Sequence, residues 1–196
     1  YSRAQCNLGV CCEFGNGTAK DPAKAAWLYR QAAEQGDRVG ACNLGYLYET
    51  GVGVQQSWEE AVRWYRQAAE QDDSRAQYHL GWCYEQGKGV EKDQTAAVEW
   101  YRRAAEREDP SSLCALGRCY ETGSGVEKDE RHAVEIYRQA AEMNDAEGQY
   151  RLGRCYYYGI GISKDIHQAV QWLTKSAAQG SRQGEFFLGQ CYENGE

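Results

Sequence analysis

Residues 77–89 read Q-Y-H-L-G-W-C-Y-E-Q-G-K-G, and this phrase recurs along the whole chain. Its Leu-Gly pair returns every 36 residues, and a Gly-x-Gly follows the first five copies six residues after the glycine. The pairs begin at Leu8, Leu44, Leu80, Leu116, Leu152 and Leu188, and the sixth copy runs out at Gly195. A fixed period of this length is the signature of a repeat protein, in which each unit buries its apolar face against its neighbours.

The first half of each repeat is predicted to be a helix with one buried face. In the second repeat, Leu44, Leu47 and Tyr48 follow helical spacing. Gly45 lies in mid-helix, where glycine costs about 1 kcal/mol relative to alanine. Because this costly residue recurs in every copy, we expect a neighbouring helix to pass too close for a side chain. Gly51 then suits a left-handed helix end.

The second half is predicted to be an amphipathic helix with bulky residues at its centre and a seam of alanines. It opens at strong N-cap residue types, which are Asp21, Ser57, Asp93, Asp129 and Asp165. Intervening arginines, such as Arg66 and Arg138, are expected to face solvent. Glycine follows this helix at two junctions, Gly36 and Gly180, and the equivalent position elsewhere holds Asp72, Glu108 or Asn144. We expect these last three junctions to differ slightly in geometry.

The predicted fold is therefore all-α, an α/α superhelical solenoid of helix-turn-helix repeats with a period of 36 residues. Repeats are expected at about 3–38, 39–74, 75–110, 111–146 and 147–182, with the first helix of a sixth at 183–196. We interpret 1–196 as a single solenoid domain. Because the chain opens at Tyr1 inside a repeat, we interpret it as a fragment of a longer protein whose targeting segment is missing.

The repeated residues resemble those of the Sel-one-like repeat family, a subclass of the tetratricopeptide-like superfamily. The motif is clearest as Ala76, Leu80, Gly81, Tyr84, Gly87, Gly89, Val90, Asp93, Ala97, Trp100, Tyr101, Ala104 and Ala105. The resemblance covers essentially the whole chain and implies an α/α superhelix that acts as an adaptor in protein complexes. It is specific for the fold and says little about activity.

The charge balance narrows the kind of partner. The chain has 22 basic and 29 acidic residues, a net charge of −7. Nucleic acids and anionic membranes are bound through basic surfaces, so neither is expected here. No run approaches the roughly 18 apolar residues of a membrane span, so no membrane insertion by this segment is expected. We expect a protein or peptide partner, and two exposed ends would also allow end-to-end self-association.

The resemblance also implies where a partner would bind, because first helices line the concave groove of tetratricopeptide proteins. Transferring that pattern gives the candidate set Tyr46, Tyr78, Trp82, Arg118, Tyr150, Arg154, Tyr157 and Tyr158. Tyr, Trp and Arg are enriched at the energetic centres of interfaces. For Tyr78 and Tyr150, packing between adjacent first helices is an equally good interpretation. The residues at the positions of Trp82, Arg118 and Arg154 vary between copies, which favours a contact surface.

Glutamates recur near the ends of first helices, at Glu13, Glu49, Glu85, Glu121 and Glu193. We interpret them as solvated helix ends; the alternative is that they receive a basic segment of a partner.

The nine cysteines all lie on predicted first helices. Equivalent positions on stacked helices are about 8–10 Å apart, beyond the limit of about 7 Å between Cα atoms for a disulfide. Free thiols in the core are therefore predicted, and with them a reducing compartment, most simply the cytoplasm.

Catalytic, metal and cofactor sites are not indicated. There is no Cys-x-x-Cys pair, and His79, His132 and His167 fall in different registers. No nucleophile and base can be paired from the sequence. We therefore predict a protein-interaction scaffold that is not an enzyme. The alternative is a small-molecule or cell-wall-fragment binder with weak β-lactam hydrolysis, as suggested for secreted relatives; an enclosed pocket would favour it over a long groove.

Overall fold

The computed structural model describes residues 1–193, which form eleven α-helices and no strand. Gly195, the last turn glycine of the pattern, lies outside them. The helices are α1 (Ser2–Phe14), α2 (Pro22–Glu34), α3 (Arg38–Thr50), α4 (Trp58–Ala69), α5 (Ser74–Gln86), α6 (Gln94–Ala105), α7 (Pro110–Thr122), α8 (Glu130–Glu142), α9 (Ala146–Tyr158), α10 (Ile166–Ala178) and α11 (Arg182–Glu193). They group into two compact units, Tyr1–Trp100 (unit 1) and Tyr101–Glu196 (unit 2). The all-α repeat fold predicted from the sequence is confirmed.

Every helix after α1 begins at a side chain that caps a free backbone N–H group, whereas α1 begins at Tyr1 without a side-chain cap. All five caps predicted for second helices are present; the Asp21 carboxylate, for example, accepts from the Lys24 N–H at 3.0 Å. First helices are capped too, as where Asp73 accepts from the Ala76 N–H at 3.0 Å. Loss of such a cap typically costs about 1 kcal/mol, so the recurring aspartates, with Ser57 and Ser181 in their place at α4 and α11, help to fix where the helices start.

The mid-helix glycine is explained by the second helix of its own repeat. A Cβ atom on Gly45 would lie 2.7 Å from Cδ1 of Tyr65, a ring that is fully buried. Gly9 and Gly117 face a tyrosine ring in the same way, and Gly153 faces the side chain of Leu173. The predicted close approach is confirmed at these four positions.

The two glycines of each turn have separate tasks. Gly51 ends α3 in the left-handed conformation, at φ 72°. Gly53, also at positive φ, lies directly against the backbone of Pro22 at the start of α2, where no Cβ could fit. In unit 2, Gly161 lies in the same way against Glu130 at the start of α8. At Gly53, Gly89 and Gly161 the second glycine therefore joins its turn to the preceding repeat.

The junctions after second helices share one backbone conformation. Asp72, Glu108 and Asn144 have φ of 60°, 57° and 62°, in the same left-handed region as Gly36 and Gly180. The expectation that these three junctions differ in geometry is wrong. A residue with a Cβ atom pays about 1–2 kcal/mol in this region, and the packing of the flanking helices holds it there.

The nine cysteines are free thiols, and all but Cys11 are buried. Burial, with the Asp73 carboxylate nearby, raises the pKa of Cys42 to about 12. Burial likewise raises the pKa of Cys83 and of Cys155 to about 12. These thiols are therefore protonated core groups at neutral pH. Across residues 1–193, no helix is both long enough and apolar enough to cross a membrane.

Candidate functional site

Three candidate residues lie on the first helices of unit 1, and the structure exposes them unequally. Tyr46 on α3 is 45% exposed. Tyr78 on α5 meets the edge of the His79 ring, with ring centroids 5.5 Å apart. Trp82 packs against Trp58 of α4, at 5.5 Å between centroids. Tyr46 is thus presented to solvent, whereas the other two are partly buried against neighbouring rings.

A concavity of about 470 Å³ lies beside Tyr46, between α1, α3 and α5. Its apolar wall is formed by Val10, Phe14, Val39 and the Tyr46 ring. A volume of this size lies within the range of small-ligand sites and also suits one or two side chains of a peptide.

One tyrosine–glutamate pair, Tyr29 and Glu13, lines this concavity, and a second pair contacts His79, which also lines it. The Tyr29 hydroxyl donates to Oε2 of Glu13 at 2.7 Å, and the Tyr65 hydroxyl donates to Oε2 of Glu49 at 2.5 Å. Nδ1 of His79 lies 3.2 Å from the same Glu49 oxygen, and its ring stacks on Tyr65 with centroids 4.8 Å apart. Interpreting Glu13 and Glu49 as solvated helix ends is therefore wrong. They are half-buried hydrogen-bond acceptors.

Electrostatics determines the protonation states of Glu49 and Tyr65. Burial opposes the charged carboxylate, but hydrogen bonds from His79 and Tyr65 outweigh it, and the pKa of Glu49 is lowered. Burial and the Glu49 carboxylate raise the pKa of Tyr65. At neutral pH, Tyr65 is therefore always a donor and Glu49 always an acceptor. His79 and Tyr65 both contact the Glu49 carboxylate, an arrangement that the sequence alone did not predict.

In unit 2, the equivalent glutamate is paired with one of the candidate arginines. Nη2 of Arg154 forms an ion pair with Oε1 of Glu121, and the Tyr137 hydroxyl donates to the other carboxylate oxygen at 2.8 Å. The two charged side chains are only 21% and 14% exposed. Burial disfavours the charged guanidinium, but Glu121, together with smaller contributions from neighbouring groups such as Tyr150, outweighs it, and the pKa of Arg154 is raised. Arg118, also in unit 2, is half-buried on α7.

The remaining candidates of unit 2 converge on a ring that the sequence analysis missed. Tyr150, Tyr157 and Tyr158 lie 5.6, 6.3 and 6.0 Å from Phe187 between ring centroids. Tyr158 is 55% and the adjacent Phe186 is 62% exposed. Continuing the register of Tyr150 by one repeat reaches Phe186, the chain neighbour of Phe187. The repeat pattern therefore indicated an aromatic residue next to this cluster, but not Phe187 itself.

Hydrogen bonds from arginines of the second helices to tyrosines of the next first helix connect consecutive repeats. In unit 1, Nη2 of Arg66 donates to the Tyr84 hydroxyl at 3.0 Å. In unit 2, Arg138 donates to the Tyr156 hydroxyl at 3.0 Å. Arg66 is exposed, as expected for an arginine on the solvent side, whereas Arg138 is half-buried; each also contacts a tyrosine of the next repeat. Within the part of the chain that the structure describes, no group of three metal-ligating side chains is assembled.

Comparison with known proteins adds the family context. The sequence profile of the Sel1 repeat matches residues 2–37, 39–73, 74–109, 110–145, 146–181 and 182–196. No significantly similar sequence was found among curated proteins.

Three solved structures illustrate the structural likeness. A Sel1 repeat protein from Oxalobacter formigenes is 37% identical, with a TM-score of 0.95 over 100% of this chain and 78% of that one. A protective antigen of uropathogenic Escherichia coli with an SLR fold is also 37% identical, with a TM-score of 0.90, and the present chain spans 42% of its length. Cysteine rich protein B of Helicobacter pylori is 26% identical, with a TM-score of 0.54 over 68% of this chain and 96% of that one.

Proposed function

Because the chain belongs to the Sel1 repeat family, we propose that it is a non-catalytic scaffold that binds a peptide or protein partner on its first helices. Proteins of this family are generally protein-interaction modules. The finer proposal concerns two faces, one formed by α1, α3 and α5 in unit 1 and one formed by α7, α9 and α11 in unit 2. Together they carry the candidate residues predicted from the sequence.

The observation that supports the proposal is the exposure of aromatic side chains on these two faces. Tyr46 in unit 1 is 45% exposed, and Tyr158 in unit 2 is 55% exposed. Each side chain projects from a helix that is held by its packed partner helix. A surface ordered before binding loses little conformational entropy on association, and tyrosine supplies a large contact area with few rotatable bonds.

A specific observation also favours the alternative function. The concavity of about 470 Å³ in unit 1 has an apolar wall and several convergent polar groups, which is the usual composition of a small-molecule site. A cell-wall fragment or another small molecule would bind there. Its binding would depend on Tyr46 and be indifferent to Tyr158.

The test compares capture of partners by three forms of the chain. We expect the parent to capture partners from lysate that the double variant Tyr46→Ala/Tyr158→Ala loses. The matched control is Trp27→Ala, which removes an aromatic side chain of similar exposure, 57%, from a second helix. All three must melt alike. Equal capture by the double variant and the control would place the binding surface elsewhere and refute the proposal.

We also propose that the protein works in a reducing compartment, most simply the cytoplasm. Eight buried thiols with no cystine partner support this, since such thiols persist where disulfides do not form. Alkylation of the protein in cells, followed by mass spectrometry, should find every cysteine modified as a free thiol after unfolding. A cystine-linked peptide would overturn the assignment.

A further inference from the structure

The repeating glutamate provides a comparison within the molecule itself. Glu121 and Glu13 occupy the same position in their repeats, three periods apart. In unit 2, the residue 33 positions after the glutamate is Arg154, which forms the ion pair with Glu121. In unit 1, the residue 33 positions after Glu13 is Tyr46. The same site is therefore built twice, once with an arginine and once without.

The carboxylate of Glu13 lacks the cation that its counterpart has. The Tyr29 hydroxyl donates to Glu13 at 2.7 Å, as Tyr137 donates to Glu121 at 2.8 Å. No Lys, Arg or His side chain within residues 1–193 forms an ion pair with Glu13. The half-buried carboxylate therefore keeps an acceptor oxygen, and no cationic side chain of the described residues is paired with it.

The space next to Glu13 has the shape and lining for a long cationic side chain. Glu13 lines the concavity of about 470 Å³, together with Val10, Val39 and the ring of Tyr46. An arginine stem is apolar and would lie along the valines. Tyr46, which stands where Arg154 stands in unit 2, offers a ring face on which a guanidinium stacks favourably.

The other charged groups around the concavity limit how many cations it can take. Nη2 of Arg75 donates a hydrogen bond to Oδ1 of Asn43 at 3.2 Å, so one positive charge already lies at the edge of the concavity. His79 is engaged by Glu49 through Nδ1. A single cation next to Glu13 balances the carboxylate, whereas a second would meet Arg75. The site therefore suits one isolated arginine and disfavours a polybasic run.

We propose that the concavity of unit 1 binds one arginine side chain of the partner, with its guanidinium paired to Glu13 as Arg154 is paired to Glu121. This inference rests on the proposed function and names the chemistry of the partner at that surface. Arginine fits better than lysine because its planar fork can donate two hydrogen bonds to the carboxylate and stack on Tyr46 at the same time.

Two capped tripeptides test the assignment directly: acetyl-Gly-Arg-Gly-amide and its citrulline counterpart, which keeps the shape and removes the charge. In titrations followed by NMR, the arginine peptide should shift the amide signals of Glu13 and Tyr46 in a saturable way. The citrulline peptide should bind at least about tenfold more weakly, because a hydrogen bond to a charged group is worth about 1.5–3 kcal/mol. Equal affinity of the two peptides, or no shift at these residues, would overturn the proposal.

An internal version of the ligand supplies a second readout. Tyr46→Arg should place a guanidinium on Glu13, raise the melting temperature and abolish binding of the arginine peptide. Combining it with Glu13→Gln, which keeps the acceptor for Tyr29, should remove the gain. A gain that survives Glu13→Gln would show that the ion pair does not form and would count against the site.

The partner-capture assay separates this proposal from the broader one. If Glu13→Gln captures the same partners as the parent while Tyr46→Ala/Tyr158→Ala loses them, the arginine assignment is wrong and the interaction surface stands. If all three forms capture alike, both proposals fail. If Glu13→Gln and the double variant lose the same partners while Trp27→Ala keeps them, both are supported.

Discussion

Replacing Gly45 with alanine should destabilise the protein, although alanine is the better helix former. The added Cβ atom would lie 2.7 Å from Cδ1 and 2.8 Å from Cε1 of Tyr65. Carbon atoms in contact prefer about 3.5–4.0 Å, so the ring would have to retreat by about 1 Å. Tyr65 is fully buried, stacked on His79 and bonded to Glu49. The ring has no free direction in which to move.

The net effect follows from two opposing terms. Overpacking a filled core costs about 1–3 kcal/mol, and exchanging glycine for alanine in a helix returns up to about 1 kcal/mol. We therefore expect Gly45→Ala to lower the free energy of unfolding by about 1–2 kcal/mol. For a chain of this size that corresponds to a fall in melting temperature of about 2–8 °C.

Gly189→Ala is the matched control, because Gly189 has the same place in the repeat but no atom within 4 Å of a Cβ built on it. It should gain the helix propensity without the clash and melt at or slightly above the parent. Both variants are compared by thermal unfolding under circular dichroism, with denaturant unfolding monitored by tryptophan fluorescence. If Gly45→Ala matched Gly189→Ala, contact with Tyr65 would not be the reason for the glycine, and the packing argument would fail.

Three further predictions follow from protonation states and backbone geometry. Glu49→Gln should cost about 1–2 kcal/mol at pH 7. Since the pKa of Glu49 is lowered in the folded state from 4.5, this loss should be full above pH 4.5 and fade as the pH falls below it; a difference in melting temperature constant with pH would contradict this. Glu108→Gly should stabilise by about 1 kcal/mol by relieving the positive φ, whereas Glu108→Ala should not, and equal denaturation midpoints for the two would refute the strain. At pH 8, a thiol reagent should label Cys11 quickly and Cys42, whose pKa is raised to about 12, only on unfolding; fast labelling of Cys42 in the folded protein would contradict its burial in the core.

The repeat pattern was sufficient to predict the helices, the caps of the second helices and the close contact at the mid-helix glycine. Each of these depends on one residue type in a local frame, such as an aspartate before a helix. The geometry of the junctions could not be predicted. Asp72, for example, adopts the conformation that Gly36 adopts, because the packed helices on both sides determine φ there against the residue's own preference.

The candidate site was less predictable, because its interactions join residues on different helices, in the same repeat or in the next one. Nothing local to Arg154 says that Glu121 will receive it, and nothing local to Glu13 says that Tyr29 will donate to it. Both contacts require the stacking of neighbouring helices to be known. Register alone places a residue on a face, but it does not say whether that residue meets a neighbour or solvent.

The contact of Gly53 with the start of α2 has a consequence for how arrays of this kind change in length. The joint between one repeat and the previous one is made there by main-chain atoms on both sides. Main-chain atoms are the same in every copy, so this joint demands nothing of the side chains around it beyond the glycine. A duplicated repeat can therefore attach to its new neighbour without compensating substitutions, and recombination between copies can lengthen or shorten the solenoid while each copy diverges in sequence.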